Sequence, residues 1–596
     1  MKRKNLMKVF VSLAAVCVLA GGAAAIGSTE ASATGEPRNI TIGETTVDIA
    51  SFATSAKASV RYDSTTDENG KEYTGMRFFS GIDESVYNAL TAIDGYTVSF
   101  GTVIASPTNV AKAIEAEGDF TIEALQAAGC VEAVNYLNVP AVKFVPSADK
   151  ENADDVEFSA VIREIPEDNF NVARQARAYM TVTNDEDSSS VTYYASYTGE
   201  ARSVAYVAME ALKANAYETE AVDANEKQFK ALNRYAQKSD EWQAKYDGYD
   251  YIRYIDTLDE LQAYATDDIL KADDTTGAKV CLVQNGDIDL SGATWTLRTA
   301  STDTYPNSVI VSMTQSLDGN GYTMTGLTKI DDEGGERNRN MGFFGNIAST
   351  STIRNVIFKG TLGINEEGDL PSNGVAGIDE GKTNAVRGRA GIFAYKNSGV
   401  IENCYIQGKI YSANGNQAYG LIGAVYHNLG TVTNTVTDIL VAFYNTSATI
   451  DESAAGNARK YGFAVANAGT ISNCVTVSFA TISTTTGGSA TTPYYDWMSN
   501  VPGSKIDAFS ISDYLDSSVP NWSGNDKAKA DSGRTNSYIF TSYESLASST
   551  GTGYGYKSTS ALDDTITSET AHTALGDAWT YDESTGKVML NGVAVN

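Results

Sequence analysis

Gly342-Phe343-Phe344-Gly345 followed by Ser351-Thr352-Ile353-Arg354-Asn355 is a two-part phrase that the chain repeats down its second half. The first part returns as Gly391-Ile392-Phe393-Ala394, Gly420-Leu421-Ile422-Gly423 and Gly462-Phe463-Ala464-Val465. The second returns as Gly399-Val400-Ile401-Glu402-Asn403, Gly430-Thr431-Val432-Thr433-Asn434 and Gly469-Thr470-Ile471-Ser472-Asn473. From leading Gly to closing Asn the spacing is 13, 12, 14 and 11 residues, whereas successive closing Asn positions lie 48, 31 and 39 residues apart. The variation in length therefore sits outside the paired segments. Fixed segments with variable excursions are what a solenoid produces, because each coil must match its neighbours while loops leave the stack freely.

The segments are short and β-branched, which suits the strands of a parallel β-helix. With successive coils about 4.8 Å apart, equivalent inward residues stack, and Asn side chains at a turn can hydrogen-bond along the axis. A ladder through Asn355, Asn403, Asn434 and Asn473 is expected. Val356, Cys404, Thr435 and Cys474 each follow a ladder Asn and fall in one column. Cys404 and Cys474 then stand two coils apart, about 9.6 Å, which exceeds disulfide reach, and both are expected as buried free thiols.

Ahead of the repeats come Asp287-Ile288-Asp289-Leu290-Ser291 with Trp295, then Leu317-Asp318-Gly319-Asn320-Gly321-Tyr322-Thr323-Met324-Thr325-Gly326-Leu327. Together with Gly342-Phe343-Phe344-Gly345, this run resembles the pectate-lyase-like right-handed β-helix of bacterial surface proteins that carry GLUG-type repeats. The resemblance covers about 255–479, with a closing segment over 542–596. It implies extracellular adhesion or display more often than catalysis. Thr257, with Glu260 three residues on, is set to cap a short helix where this half begins.

The first half follows a different grammar. Short apolar/polar alternations such as Tyr96–Ile104, Val156–Ile162 and Ala176–Val182 suggest a β-sandwich-like module. Val204, Val207, Ala208 and Ala211 then lie on one helical stripe, and the charged, Pro- and Gly-free stretch 218–245 suggests a solvated connecting helix or helical pair. Gly75-Met76-Arg77-Phe78, Phe100-Gly101-Thr102-Val103-Ile104 with Pro107, Ala176-Arg177-Ala178-Tyr179 and Ala201-Arg202-Ser203-Val204-Ala205 resemble an uncharacterised extracellular module of large Gram-positive surface proteins. Arg77, Arg177 and Arg202 could gather as a carboxylate-binding cluster, or pair separately with surface acids.

The 596 residues carry 44 Lys+Arg against 74 Asp+Glu, a net charge of −30, which disfavours nucleic acid and anionic lipid as partners. With 42% hydrophobic and 20% charged residues the chain can bury sizeable cores. Lys2, Arg3, Lys4 and Lys8, the apolar run Val9–Ala20 and the small residues after it form a secretory signal peptide by composition, with cleavage favoured after Ala33. The remaining sequence holds no apolar stretch long enough to span a membrane. Four cysteines (Cys130, Cys281, Cys404, Cys474) beyond the signal region are too sparse for a disulfide scaffold.

Candidate chemistry is thin. His427 and His572 are the two histidines, so His-based zinc sites and acid–base relays are disfavoured. Asp287/Asp289 and Asp331/Asp332 are the carboxylate pairs that glycoside hydrolysis would need, though turn shaping and solvated loop charge explain them more simply. Tyr494, Tyr495 and Trp497 could form an aromatic platform for sugar rings, or cover the edge of a coil. No metal site and no cofactor are expected; calcium, which a lyase would use, has no supporting ligand motif.

These observations lead to a mainly β chain: a right-handed parallel β-helix preceded by a β-sandwich-like module and a helical connector. The expected segments are a signal peptide over 1–33, the N-terminal module over 34–215, the connector over 216–254 and the β-helix with its closing segment over 255–596. The expected role is a secreted or cell-surface adhesion protein recognising an extracellular glycan or protein through loops. The alternative is a polysaccharide lyase or glycoside hydrolase on the same scaffold.

Overall fold

Alternating burial along Gln175–Asn184, with Ala176, Ala178, Met180 and Val182 inside and their neighbours less buried, sets the pattern of the first part of the chain. The computed structural model describes residues 38–61, 65–66, 72–141, 144–146, 155–196, 199–217, 222–266, 278–296, 307–329, 341–362, 389–414, 421–445, 459–460, 464–467, 469–476 and 479–484, and then 509–510, 534–535, 538–539, 543–548, 551–556, 575–582, 584–585 and 587–595. The chain divides into two units, Met1–Ile252 and Arg253–Asn596. It is mainly β, and the second unit is built on parallel sheets.

In the first unit Gln175–Asn184 pairs antiparallel with Ser190–Tyr194 on one side and Tyr96–Ala105 on the other, and the latter pairs with Tyr136–Pro140. A second antiparallel sheet contains Ala53–Val60, Glu72–Asp83, Asp155–Pro166 and Phe144–Pro146. Both contribute to one core, in which Phe100 lies 5.9 Å from Phe52 and 5.6 Å from Phe158 between ring centres. A separate cluster joins Val103 and Ala105 to the helices Pro107–Glu117 and Ile122–Ala127 through Val110, Ala113 and Leu125. Ser106 and Thr121 cap these helices by accepting backbone N–H bonds from Asn109 and Ala124.

The helices Val222–Ala236 and Asp240–Lys245 differ from the solvated connector expected from their charge. Phe229, Leu232, Tyr235, Ala236, Trp242 and Tyr246 are buried. Their spacing of three to four residues forms an apolar stripe that the intervening Lys, Glu and Gln obscure in the sequence. Asn233 is buried too, and its amide is satisfied by donating to Phe229 O and accepting from Ile252 N.

In the second unit the Thr257 hydroxyl accepts from Glu260 N while the Glu260 carboxylate accepts from Asp256 N and Thr257 N, a reciprocal cap for the helix Leu258–Tyr264. The chain then visits three parallel sheets in rotation. The first sheet takes Val280–Gln284, Ser316–Asp318, Thr352–Arg354, Val400–Glu402, Thr431–Thr433 and Thr470–Ser472. The second takes Ile288–Asp289, Thr323–Lys329, Ile357–Leu362, Tyr405–Asn414, Val436–Asn445 and Val475–Thr476. The third takes Asn307–Ile310, Met341–Ile347, Arg389–Asn397, Leu421–Asn428 and then, in one round, Arg459–Lys460 and Ala464–Asn467.

Each of these strands pairs in parallel with its equivalent in a neighbouring round. Leu317, Ile353, Ile401, Val432 and Ile471 consequently form a buried column, and Phe343, Phe344, Phe358 and Phe393 interlock with ring centres 4.7 to 5.3 Å apart. Close approach explains the glycine that opens the second part of the repeat in three of its four copies, Gly399, Gly430 and Gly469. A side chain at Gly430 would overlap the carbonyl oxygen of Gly399, and one at Gly469 that of Gly430.

Candidate functional site

Asn355, Asn403, Asn434 and Asn473 occupy equivalent corners where a first-sheet strand turns into a second-sheet strand. All four adopt left-handed backbone, with φ of 55°, 49°, 49° and 54°. Asn tolerates this region better than other side-chain-bearing residues, which accounts for its recurrence. The links along the stack are made by backbone: Asn355 N donates to Glu402 O, Asn403 N to Thr433 O and Asn434 N to Ser472 O, each at 3.2 Å. A side chain adds to them at one corner: Asn355 Nδ2 donates to Asp318 Oδ1, one round earlier, at 2.9 Å, whereas Asn434 Oδ1 accepts from the Thr433 hydroxyl of its own round at 3.3 Å.

An amide-to-amide contact forms instead at the corner between third and first sheets. Asn397 and Asn428 are fully buried, paired in register, and joined by Asn397 Nδ2 donating to Asn428 Oδ1 at 2.8 Å. Asn397 Oδ1 accepts from Gly399 N, and Asn428 Nδ2 donates to Thr470 O. Inspection of the repeats missed these residues. The signal was an Asn two positions before the opening glycine of the second part, in Asn397-Ser398-Gly399, Asn428-Leu429-Gly430 and Asn467-Ala468-Gly469.

Cys404 and Cys474 are buried free thiols, and burial pushes each up to about 12. Cys404 N donates to the Thr435 hydroxyl one round on, which fixes the column in which these residues sit.

The acids considered for catalysis are held by structural donors. Asp287 Oδ1 accepts from Thr323 N and its hydroxyl; Asp289 accepts from Ser291 N and its hydroxyl, which hold the Asp289 carboxyl below its ordinary range. Asp318, almost fully buried, accepts from Asn320 N and Asn355 Nδ2 and pairs with Arg354 Nε at 2.9 Å. Asp331 and Asp332 lie outside the described residues, as do Tyr494, Tyr495, Trp497 and the segment 1–37. His427 is half-buried and in register with Lys396, beside Tyr395 and Tyr426, whose rings stack 4.8 Å apart. Among the described residues no group of three His, Cys, Asp or Glu side chains is placed to hold a metal ion.

The three arginines Arg77, Arg177 and Arg202 are each engaged locally. Arg177 donates to Ala195 O and Phe120 O and pairs with Asp119; Arg202 pairs with Glu200 and lies over the Tyr206 ring; Arg77 lies over Phe79.

What distinguishes one side of the second unit is where its variable connections start and finish. The segments 290–306, 330–340, 363–388, 415–420 and 446–458 all join a second-sheet strand to the third-sheet strand that follows it. By contrast, a first-sheet strand reaches the second sheet through two residues in four successive rounds: 355–356, 403–404, 434–435 and 473–474. Two pairs of departure points are in register, Lys329 beside Leu362 and Asn414 beside Asn445, while Tyr405–Asn414 runs four residues past Ile410, the partner of Leu362. Five segments of unequal length and dissimilar sequence thus spring from one edge.

Among the described residues no helix is long and apolar enough to cross a membrane. No family model, curated protein or solved structure matches the chain.

Proposed function

We propose that this is a secreted, surface-associated recognition protein in which a right-handed parallel β-helix of GLUG type presents its binding residues on the edge between second and third sheets. The observation that carries this is that five successive rounds each place their longest connection on that edge, while the rest of each round is held by parallel pairing and close glycine contacts. A rigid scaffold with sequence freedom confined to one row of loops is the arrangement that loop-based binding uses. The ligand class we favour is an extracellular glycan or protein. The basic-then-apolar start of the chain supports secretion, and the charge of −30 weighs against anionic polymers.

The test is a glycan array and a panel of extracellular matrix proteins probed with the full chain, run beside a polysaccharide digestion screen with and without calcium. Saturable retention without products supports recognition. Turnover of any polysaccharide would replace this function with the enzymatic alternative, and neither retention nor turnover would remove it.

A further inference from the structure

The last strands of the chain, Trp579–Asp582, Lys587–Leu590 and Val593–Ala594, form an antiparallel meander. Its second hairpin turns at Asn591-Gly592, both with positive φ (50° and 82°), the pattern of a tight two-residue turn. Leu575, Trp579, Val588, Leu590 and Val595 are fully buried, and the residues they meet are Ile357, Tyr405 and Val436. Those three belong to successive rounds and are in register with one another. Two polar contacts fix the ends: the Trp579 indole N–H donates to Asn434 O at 2.9 Å, and Asn591 Nδ2 donates to Asn355 Oδ1 at 2.8 Å. One round earlier, a side chain at Gly321 would come within 3.0 Å of Val593 Cγ2. The meander therefore runs along the stack and not around it.

We propose that this C-terminal meander is a strap that locks successive rounds together and so sets the positions of the variable connections. Ile357, Tyr405 and Val436 are the first residues of the strands Ile357–Leu362, Tyr405–Asn414 and Val436–Asn445, whose far ends lead into 363–388, 415–420 and 446–458. Clamping the start of each strand removes sliding and hinging between neighbours that parallel pairing alone resists weakly. The consequence for ligand recognition rests on the function proposed above; the locking itself does not.

Hydrogen exchange on the full-length protein tests it. Trp579→Ala is expected to raise exchange at least tenfold at the amides of Tyr405 and Val436, which donate to Val356 O and Cys404 O. The first-sheet strands Thr352–Arg354 and Val400–Glu402 should stay within about twofold. Asn591→Gly, which removes the side-chain contact to Asn355 and keeps a residue suited to the positive φ of this turn, should give the same pattern at smaller amplitude and serves if Trp579→Ala does not fold. Thr580→Ala, at an exposed strand position, should leave exchange unchanged. Uniform acceleration in all three sheets, or no change in either strap variant, overturns the proposal. Because exchange needs no ligand, a blank array would remove the recognition function and leave the strap standing.

Discussion

At the scale of single residues, two kinds of asparagine corner differ in what they contribute. Asn403 is half-buried and holds its place by backbone conformation, with φ of 49°. Asn403→Gly should be close to neutral, while Asn403→Val should cost about 1–2 kcal/mol from left-handed strain, read as a shift in denaturation midpoint. Asn428 is fully buried, and its loss strands Asn397 Nδ2 from its amide acceptor. Asn428→Ala should cost about 1–3 kcal/mol. Equal sensitivity at the two corners would contradict this division. The thiols add a pH dependence. Burial raises Cys404 and Cys474 from 9.0 to about 12, so the unfolded chain gives up these protons first. Their contribution to stability is whole below pH 9 and is lost as pH rises through about 12. Both should ignore a disulfide thiol reagent at pH 8 until denaturant is added; rapid labelling of the native protein would show that the column is open. At the exposed Asp582, bonds from the Ser584 and Thr585 hydroxyls and backbone hold the carboxyl down at about 2. Being depressed, it supports the folded state above the ordinary 3.8 and loses that support as pH falls through about 2.

At the scale of elements, the helix Val222–Ala236 supplies the sharpest contrast between composition and packing. Leu232 is fully buried, so Leu232→Ala should cost about 2–5 kcal/mol, against a few tenths for a solvated helix; thermal unfolding of the full chain separates the two. Charge counts misled here because a core-facing stripe needs only about a third of helical positions, and Phe229, Leu232 and Tyr235 with Ala236 are enough. Repeats were more legible. Gly399, Gly430 and Gly469 recur because each backbone crowds the carbonyl before it, and Ile353, Ile401, Val432 and Ile471 recur because they share a buried column. These are constraints on every round, and they leave the same mark each time. The strap was legible only as a closing segment. Trp579 and Asn591 contact Asn434 and Asn355 from far along the chain, and a single long-range contact has no periodicity to betray it. The Asn397–Asn428 contact was overlooked for a different reason: the first copy carries Ile347 at the equivalent position, which hides the pattern.

At the scale of the whole molecule, the second unit separates what must be conserved in geometry from what is free to vary in length. Parallel strands repeat their pairing only if each round returns to the same place, so insertions are tolerated where the chain leaves the stack and rejoins it without displacing a paired residue. The edge between second and third sheets meets that condition, since Leu362 and Arg389 each remain paired with their neighbours despite the segment between them. Replacing 363–388 by a connection as short as 415–420 should therefore leave the midpoint of thermal unfolding within a few degrees, because loop closure depends only logarithmically on length. The same replacement should abolish or redirect retention on the array if that edge is where ligand is held. Grafting 446–458 in its place should restore the fold equally well and give a third binding profile. Unchanged retention across all these chains would move recognition off this edge and onto another surface of the protein. A large fall in the midpoint would instead mean that 363–388 packs as part of the scaffold, and that the variable connections are structural after all.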